Sequence, residues 1–450
     1  MARARVPAIL AALALVACSP APTATTPSTA PGTTQAPATS SPSVGPSPVA
    51  TADRAAGWRS DLEMLVPGMD RIHPDLTHDV SREALDAAVA DLIATIPDAT
   101  DDELMAGVLG IVAMVSRKGC DAHTGAFVWG TGTYPVDSLP LRLWLFPGEL
   151  ADSLVVVDAL PPYQDLIGST VDTIEGDEEL DVRQQLMPLV PRDNDWTFRL
   201  LAPRYLLIPQ VLRGLGIADD GPISLGLTTP EGGSRTVDVE PIPMAGYNAW
   251  AGPYGLHLPE DPDVLYLSRI DDALWWTRLT DAGTLYVQWN RVDHIPLGTV
   301  NDLRNELHEP DADRVVLDMR HNYGGEVSAV DPMLELFKDP AVNRPDRLFV
   351  ITGRNTFSAA SLFVARADRD TEAAIVGEPM GGCPTAYGNP EELTLPFSGI
   401  VVDVADMLEV GVAADDERET IEPDIAAPLT ADEWAHGSDP ALGMITTQVP

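Results

Sequence analysis

Arg314-Val315-Val316-Leu317-Asp318-Met319-Arg320-His321-Asn322-Tyr323-Gly324-Gly325 is the stretch that decides the fold. Its apolar residues run together without alternating, as in a strand covered on both faces. The glycine pair ends the run, and a helical pattern begins at Val327. A strand, a glycine turn and a helix in that order predict an α/β unit. The same texture recurs at Leu285-Tyr286-Val287, Leu348-Phe349-Val350-Ile351 and Ala374-Ile375-Val376. The intervening stretches 300–307 and 359–367 read as helices. The predicted fold class is therefore α/β, with a buried sheet in the C-terminal half.

Chemistry follows from the ends of those strands. Glycine lets a substrate oxygen approach backbone N–H groups, and a helix N-terminus favours developing negative charge. The next strand runs into Gly353-Arg354-Asn355-Thr356-Phe357-Ser358-Ala359-Ala360. Ser358 thus stands at a second strand-to-helix junction. One junction offers a hydroxyl and its neighbour offers donors, an arrangement suited to acyl transfer through an oxyanion.

Four motifs in series carry a family resemblance. They are Asp318-x-Arg320-x-Asn322-x-Gly324-Gly325, Phe357-Ser358-Ala359-Ala360, Val376-Gly377-Glu378-Pro379-x-Gly381-Gly382 and Glu422-Pro423-Asp424-Ile425. In order and spacing, from Tyr266 to Leu429, they resemble the core of the C-terminal-processing and tricorn-core serine peptidases. The resemblance implies a mixed-sheet, crotonase-like core with a helical N-terminal domain and a PDZ-like β module. It makes Ser358 the nucleophile, with oxyanion donors from Ala359 and from one of Gly324 or Gly325. No Gly-x-Ser-x-Gly occurs, which argues against an α/β-hydrolase.

The base departs from the processing branch of that family. Cys383 stands where its lysine is expected, and Ser361 replaces its glutamate. Tricorn-like members use a histidine at the end of the helical domain, and Asp121-Ala122-His123-Thr124 resembles that pattern. A near-neutral imidazole can take the serine proton and return it to a leaving amine. The resemblance also makes Glu417 an auxiliary carboxylate. If His123 serves Ser358, Cys120 and Cys383 approach one cleft from separate segments. A disulfide between them is then expected, the other reading being two independent thiols.

Outward from this core the chain changes character. Residues 1–17 read as a signal peptide, with Arg3 and Arg5 ahead of an apolar run too short to span a bilayer. Leu15-Val16-Ala17-Cys18 resembles a bacterial lipobox, which implies a lipid on Cys18 and anchorage outside the cytoplasmic membrane. Residues 18–51 form a Pro/Thr/Ser-rich linker that buries nothing. Helical spacing dominates 52–124, with Thr100 and Glu103 placed as a capping box. Short apolar runs and turns dominate 125–245, where Leu166 to Gly176 loosely resembles a PDZ-like module. Residues 246–450 form the predicted peptidase core.

Charge and motif counts exclude other classes. Twenty-eight basic against 68 acidic residues give a formal net charge of −40, which excludes a nucleic-acid partner and leaves Cys18 as the membrane attachment. No His-Glu-x-x-His or Cys-x-x-Cys is present, so neither a metal nor a cofactor is expected. His321 is expected to face solvent. The expected activity is hydrolysis of polypeptides by an exported serine endopeptidase. The alternative is a catalytically inactive protein on the same scaffold that binds a peptide or a lipophilic ligand.

Overall fold

The structure is a computed structural model. It describes residues 51–447 apart from 118, 131–133, 149–150, 253–255, 294, 311 and 414. The signal peptide, Cys18 and nearly all of the linker lie outside the described residues. No helix among those described is long and apolar enough to cross a membrane.

The C-terminal half is built on a six-stranded sheet. Its strands lie side by side in chain order: Leu274–Leu279, Thr284–Trp289, Arg314–Asp318, Leu348–Thr352, Ala374–Gly377 and Ile425–Ala426. All neighbours are parallel except the first pair, so the sheet is mixed. The unbroken apolar runs have a direct cause. Val315 and Leu317 pack against the helices Leu297–His308, Val330–Phe337 and Ala359–Asp370, while Val316 between them packs on the opposite face with Phe349, Ile351 and Ile445. A strand buried on both faces has no polar side to alternate with. All parallel strands end on the same edge, which brings the turns after Asp318 and Thr352 together.

Three helices precede this core: Thr51–Asp70, Arg82–Thr95 and Asp101–Ala113. The capping box at Thr100 forms, with Glu103 Oε2 accepting from the Thr100 N–H at 2.6 Å. The middle segment holds an antiparallel sheet ordered Leu141–Phe146, Ser153–Ala159, Thr170–Ile174, Ile223–Thr228 and Ser234–Val239. It also holds helices that the β reading omitted, chiefly Glu179–Leu186, Asp195–Leu206 and Pro209–Gly214. One apolar cluster unites Leu62 and Val108 of the helices with Val156 and Leu225 of this sheet. It extends to Val402 and Val404, on a hairpin formed by Thr385–Thr394 and Val401–Val410. The hairpin therefore carries the chain from the core sheet back to the N-terminal helices.

Several motif residues hold these pieces in place. Glu378 binds Arg354 through both oxygens, at 3.0 and 2.8 Å, and Arg354 also donates to the Leu145 carbonyl at 2.6 Å. That side chain joins the C-terminal core to the middle sheet. Arg320 binds both Asp318 and Asp439, tying the strand end to the C-terminal helix Pro440–Thr447. Asp424 accepts the Ile375 N–H at 2.9 Å, beside the short edge strand.

Candidate active site

Ser358 is the residue before the helix Ala359–Asp370, with φ 56° and ψ −129°. A β-carbon is rarely held in that region, and backbone strain of this kind collects at functional turns. The turn is held from several sides. Thr356 Oγ1 donates to the Met319 carbonyl at 2.9 Å, the Phe357 N–H to Asn322 at 3.1 Å, and the Gly382 N–H to Thr356 at 3.0 Å. The Ser358 conformation is thus fixed by the two neighbouring loops as well as by its own helix.

His123 reaches this turn from the end of the N-terminal helical segment. Its Nε2 lies 3.0 Å from Ser358 Oγ, and its ring stacks on Phe357 with centroids 4.7 Å apart. Burial pushes its pKa down from 6.5 to about 4, while the Asp121 charge and the Tyr387 carbonyl act in the opposite direction. A ring in this setting is neutral at pH 7 and can accept a proton. Although Tyr387 influences it, Nδ1 makes no hydrogen bond of good geometry among the described residues. The pair is a dyad. Glu417 is exposed on its loop, and no hydrogen bond or ion pair among the described residues joins it to either partner.

The glycine turn lies directly against Ser358. A Cβ on Gly324 would stand 2.6 Å from Ser358 Cβ and 2.9 Å from the Ala359 nitrogen, so only glycine fits. Asn322 shapes this turn, donating to the Trp289 carbonyl at 2.8 Å and accepting the Gly324 N–H at 3.0 Å. The N–H groups of Gly325 and Ala359 have no partner among the described residues. Gly325, at φ 137°, lies against the Val292 carbonyl.

The structure brings the two cysteines together as well. Cys120 and Cys383 form a disulfide, with Cα atoms 5.3 Å apart. The loop that carries His123 is thereby bonded to the loop that follows Gly381-Gly382. His321 differs from expectation. It is buried, its ring parallel to Tyr266 with centroids 5.9 Å apart, because the turn after Asp318 folds the side chain inward instead of toward solvent.

The arrangement matches known structures in fold. Mature CPAF in complex with lactacystin aligns over 85% of this chain and 96% of its own, at 13% identity and a TM-score of 0.58. A serine-to-alanine mutant of CPAF aligns over 87% and 98%, at 12% identity and a TM-score of 0.60. The chain has the CPAF fold. The photosystem II D1 C-terminal processing protease also aligns, over 83% and 92% of the two chains, at 14% identity and a TM-score of 0.37. No protein-family model matches the chain, and no curated protein matches it in sequence.

Within this CPAF-like fold, His73, His78 and Asp121 bring one potential ligand atom each within 4.8 Å of one another. Their hydrogen bonds assign the protons. His73 Nδ1 accepts the Asp75 N–H at 3.1 Å, so its own proton is on Nε2, 3.1 Å from Asp121 Oδ2. That nitrogen has no lone pair for a cation. His78 is reversed, with Nδ1 on the Asp75 carbonyl at 3.0 Å and Nε2 facing Asp121 at 3.7 Å. One imidazole and one carboxylate fall short of the three ligands a zinc site uses. The cluster instead keeps the buried Asp121 carboxylate in place, two residues from His123.

Sequence reading missed one set of residues at this site. Asp193, Asn194 and Thr197 begin the helix Asp195–Leu206 and touch both loops that flank the dyad. Asn194 and Thr197 have capping-box spacing, a signal that was available. It marks a helix start and does not reveal what the cap faces.

Proposed function

We propose that this protein is a serine peptidase that cleaves polypeptides, with Ser358 as nucleophile and His123 as base. The 3.0 Å contact between His123 Nε2 and Ser358 Oγ carries the reading. Ser358 Oγ attacks the scissile carbonyl carbon as its proton passes to Nε2, and the carbonyl oxygen becomes an oxyanion. The Gly325 and Ala359 N–H groups, without a partner among the described residues, are the donors assigned to that oxygen. Collapse breaks the C–N bond, and Nε2 returns the proton to the leaving amine. Water, deprotonated by the same nitrogen, then releases the acyl group from Ser358. Glu417 is exposed and forms no hydrogen bond or ion pair with either partner among the described residues, so the reading rests on the dyad alone.

The same proposal places the protein outside the cytoplasmic membrane, held by a lipid on Cys18. Two observations support it: the lipobox-like Leu15-Val16-Ala17-Cys18, and a disulfide, which persists in oxidising compartments. Among the described residues no carboxylate bonds Nδ1 of His123, which favours a second reading, a silent scaffold that binds a peptide or lipophilic ligand. A fluorophosphonate probe separates the two. Covalent labelling of Ser358, lost in Ser358→Ala and slowed in His123→Ala, supports the peptidase. An unlabelled, folded wild-type chain supports the silent scaffold.

A further inference from the structure

Asp193 lies outside both catalytic elements, fully buried between the loops that frame the dyad. Its Oδ1 accepts the Ala122 N–H at 2.7 Å, one residue before His123. Its Oδ2 accepts the Cys383 N–H at 2.9 Å. Its backbone carbonyl accepts the Cys120 N–H at 3.0 Å. One residue therefore touches both halves of the disulfide and the residue preceding the base.

The following residues extend this contact. Asn194 Nδ2 donates to the Met380 carbonyl at 3.3 Å and to the Glu419 carbonyl at 2.8 Å. Thr197 Oγ1 accepts the Asp193 N–H and donates to the Gly381 carbonyl. Gly119 must be glycine here, since φ is 110° and a Cβ would stand 2.5 Å from the Asp193 carbonyl oxygen. The N-terminus of one middle-segment helix thus grips the His123 loop and the Gly381–Cys383 loop together.

We propose that Asp193 is a positioning residue for catalysis, its two carboxylate oxygens fixing the His123 loop against the Cys383 loop and so holding Nε2 at Ser358. This rests on the peptidase reading above. A carboxylate suits the task because both oxygens accept. An asparagine would turn its NH₂ group toward one of the two N–H donors. The disulfide and the carboxylate act on the same two loops, the first through the cysteine side chains and the second through the backbone N–H groups of Ala122 and Cys383. Misplacing a catalytic group by about 1 Å can cost about 100-fold in rate.

The chemistry also gives a pH signature. Burial pushes the Asp193 carboxyl up from 3.8 to about 7, the Ala122 and Cys383 N–H groups oppose this, and Asp121 adds to it. Asp121 on the His123 loop is the charged group that bears on it, and the titratable His123 follows on that loop. Arg192 and Asp195 adjoin Asp193 in sequence, Glu419 lies across from Asn194, and Gly381-Gly382-Cys383-Pro384 carries no charge. Protonation leaves one oxygen a poor acceptor, so the grip loosens below about pH 7, well above the histidine's own titration near 4.

The test uses the full chain with its disulfide intact, measuring fluorophosphonate labelling of Ser358 and peptide turnover from pH 4 to 9. In the wild type, the labelling rate should fall on acidification with a midpoint near 7. Asp193→Asn should lower kcat and the labelling rate by about 10- to 100-fold, leave KM within about 2-fold, and lose the limb near 7. An Asp193→Asn chain that labels as fast as wild type, or that keeps a limb near 7, overturns the proposal. A wild-type chain that never labels overturns the peptidase reading itself, a different result from either of these.

Discussion

Cys120 and Cys383 are 263 positions apart in sequence, yet their Cα atoms lie 5.3 Å from each other, three residues before His123 in one case and just after Gly381-Gly382 in the other. Where the processing branch of the resembled peptidases would carry a lysine base, this chain carries a covalent tie to the segment that supplies a histidine. The replaced position and the proposed base are thus linked in space.

This tie predicts a double effect of its removal. In the chain-entropy account, closing a loop of this length contributes roughly 5 kcal/mol of stability. Cys120→Ser with Cys383→Ser should lower the unfolding free energy toward that amount and slow Ser358 labelling by at least about 10-fold. Chemical denaturation and labelling kinetics on the same samples check both. Unchanged labelling would show that the disulfide stabilises the chain without holding the base.

Ser358 occupies a backbone conformation that a glycine adopts without steric strain. Ser358→Ala should therefore abolish turnover and leave stability within about 0.5 kcal/mol, since alanine is as strained there as serine. Ser358→Gly should abolish turnover while raising stability by about 1 kcal/mol, as the strain is released. Thermal melts of the two variants read the difference. Equal melting temperatures would mean that the turn is not strained in solution.

Gly324 presents the opposite case. Gly324→Ala puts a methyl group 2.6 Å from Ser358 Cβ, at a φ of 100° that alanine resists. The expected cost is about 1–3 kcal/mol of stability together with a loss of labelling greater than 100-fold. Near-normal labelling of a stable Gly324→Ala chain would remove this turn from the oxyanion site.

The α/β core was legible because its signals are local. Unbroken runs such as Val315-Val316-Leu317 record burial on two faces, and Gly324-Gly325 records a turn at a strand end, whereas the positive φ of Ser358 leaves no mark in the sequence. His123 was legible only through resemblance, since nothing within Asp121 to Thr124 states that Ser358 lies 3.0 Å away. The helices Glu179–Leu186 and Asp195–Leu206 were missed. The second is apolar or buried around most of its circumference, from Phe198 to Leu206, so the amphipathic stripe that marks a surface helix is absent. Asp193 was missed for a further reason. It sits in a charged, turn-like stretch, Arg192-Asp193-Asn194-Asp195, that reads as solvated surface, and the two N–H groups on its carboxylate come from residues 71 and 190 positions away.

That burial makes a prediction about stability separate from catalysis. Between pH 3.8 and about 7 the unfolded chain has lost the Asp193 proton and the folded chain keeps it. Stability therefore falls as pH rises through this window and levels off above about 7. His123 acts in the other direction. Its folded pKa near 4 lies below the ordinary 6.5, so its contribution is present above 6.5 and is lost as pH falls toward 4. The two slopes oppose each other in the wild type, and Asp193→Asn removes one of them. Denaturant midpoints from pH 4 to 8 should therefore rise more steeply with pH in Asp193→Asn than in wild type, the two curves diverging between about 4 and 7. Parallel curves would mean that the Asp193 carboxyl is already ionised throughout that range, held by the Ala122 and Cys383 N–H groups more strongly than burial opposes it.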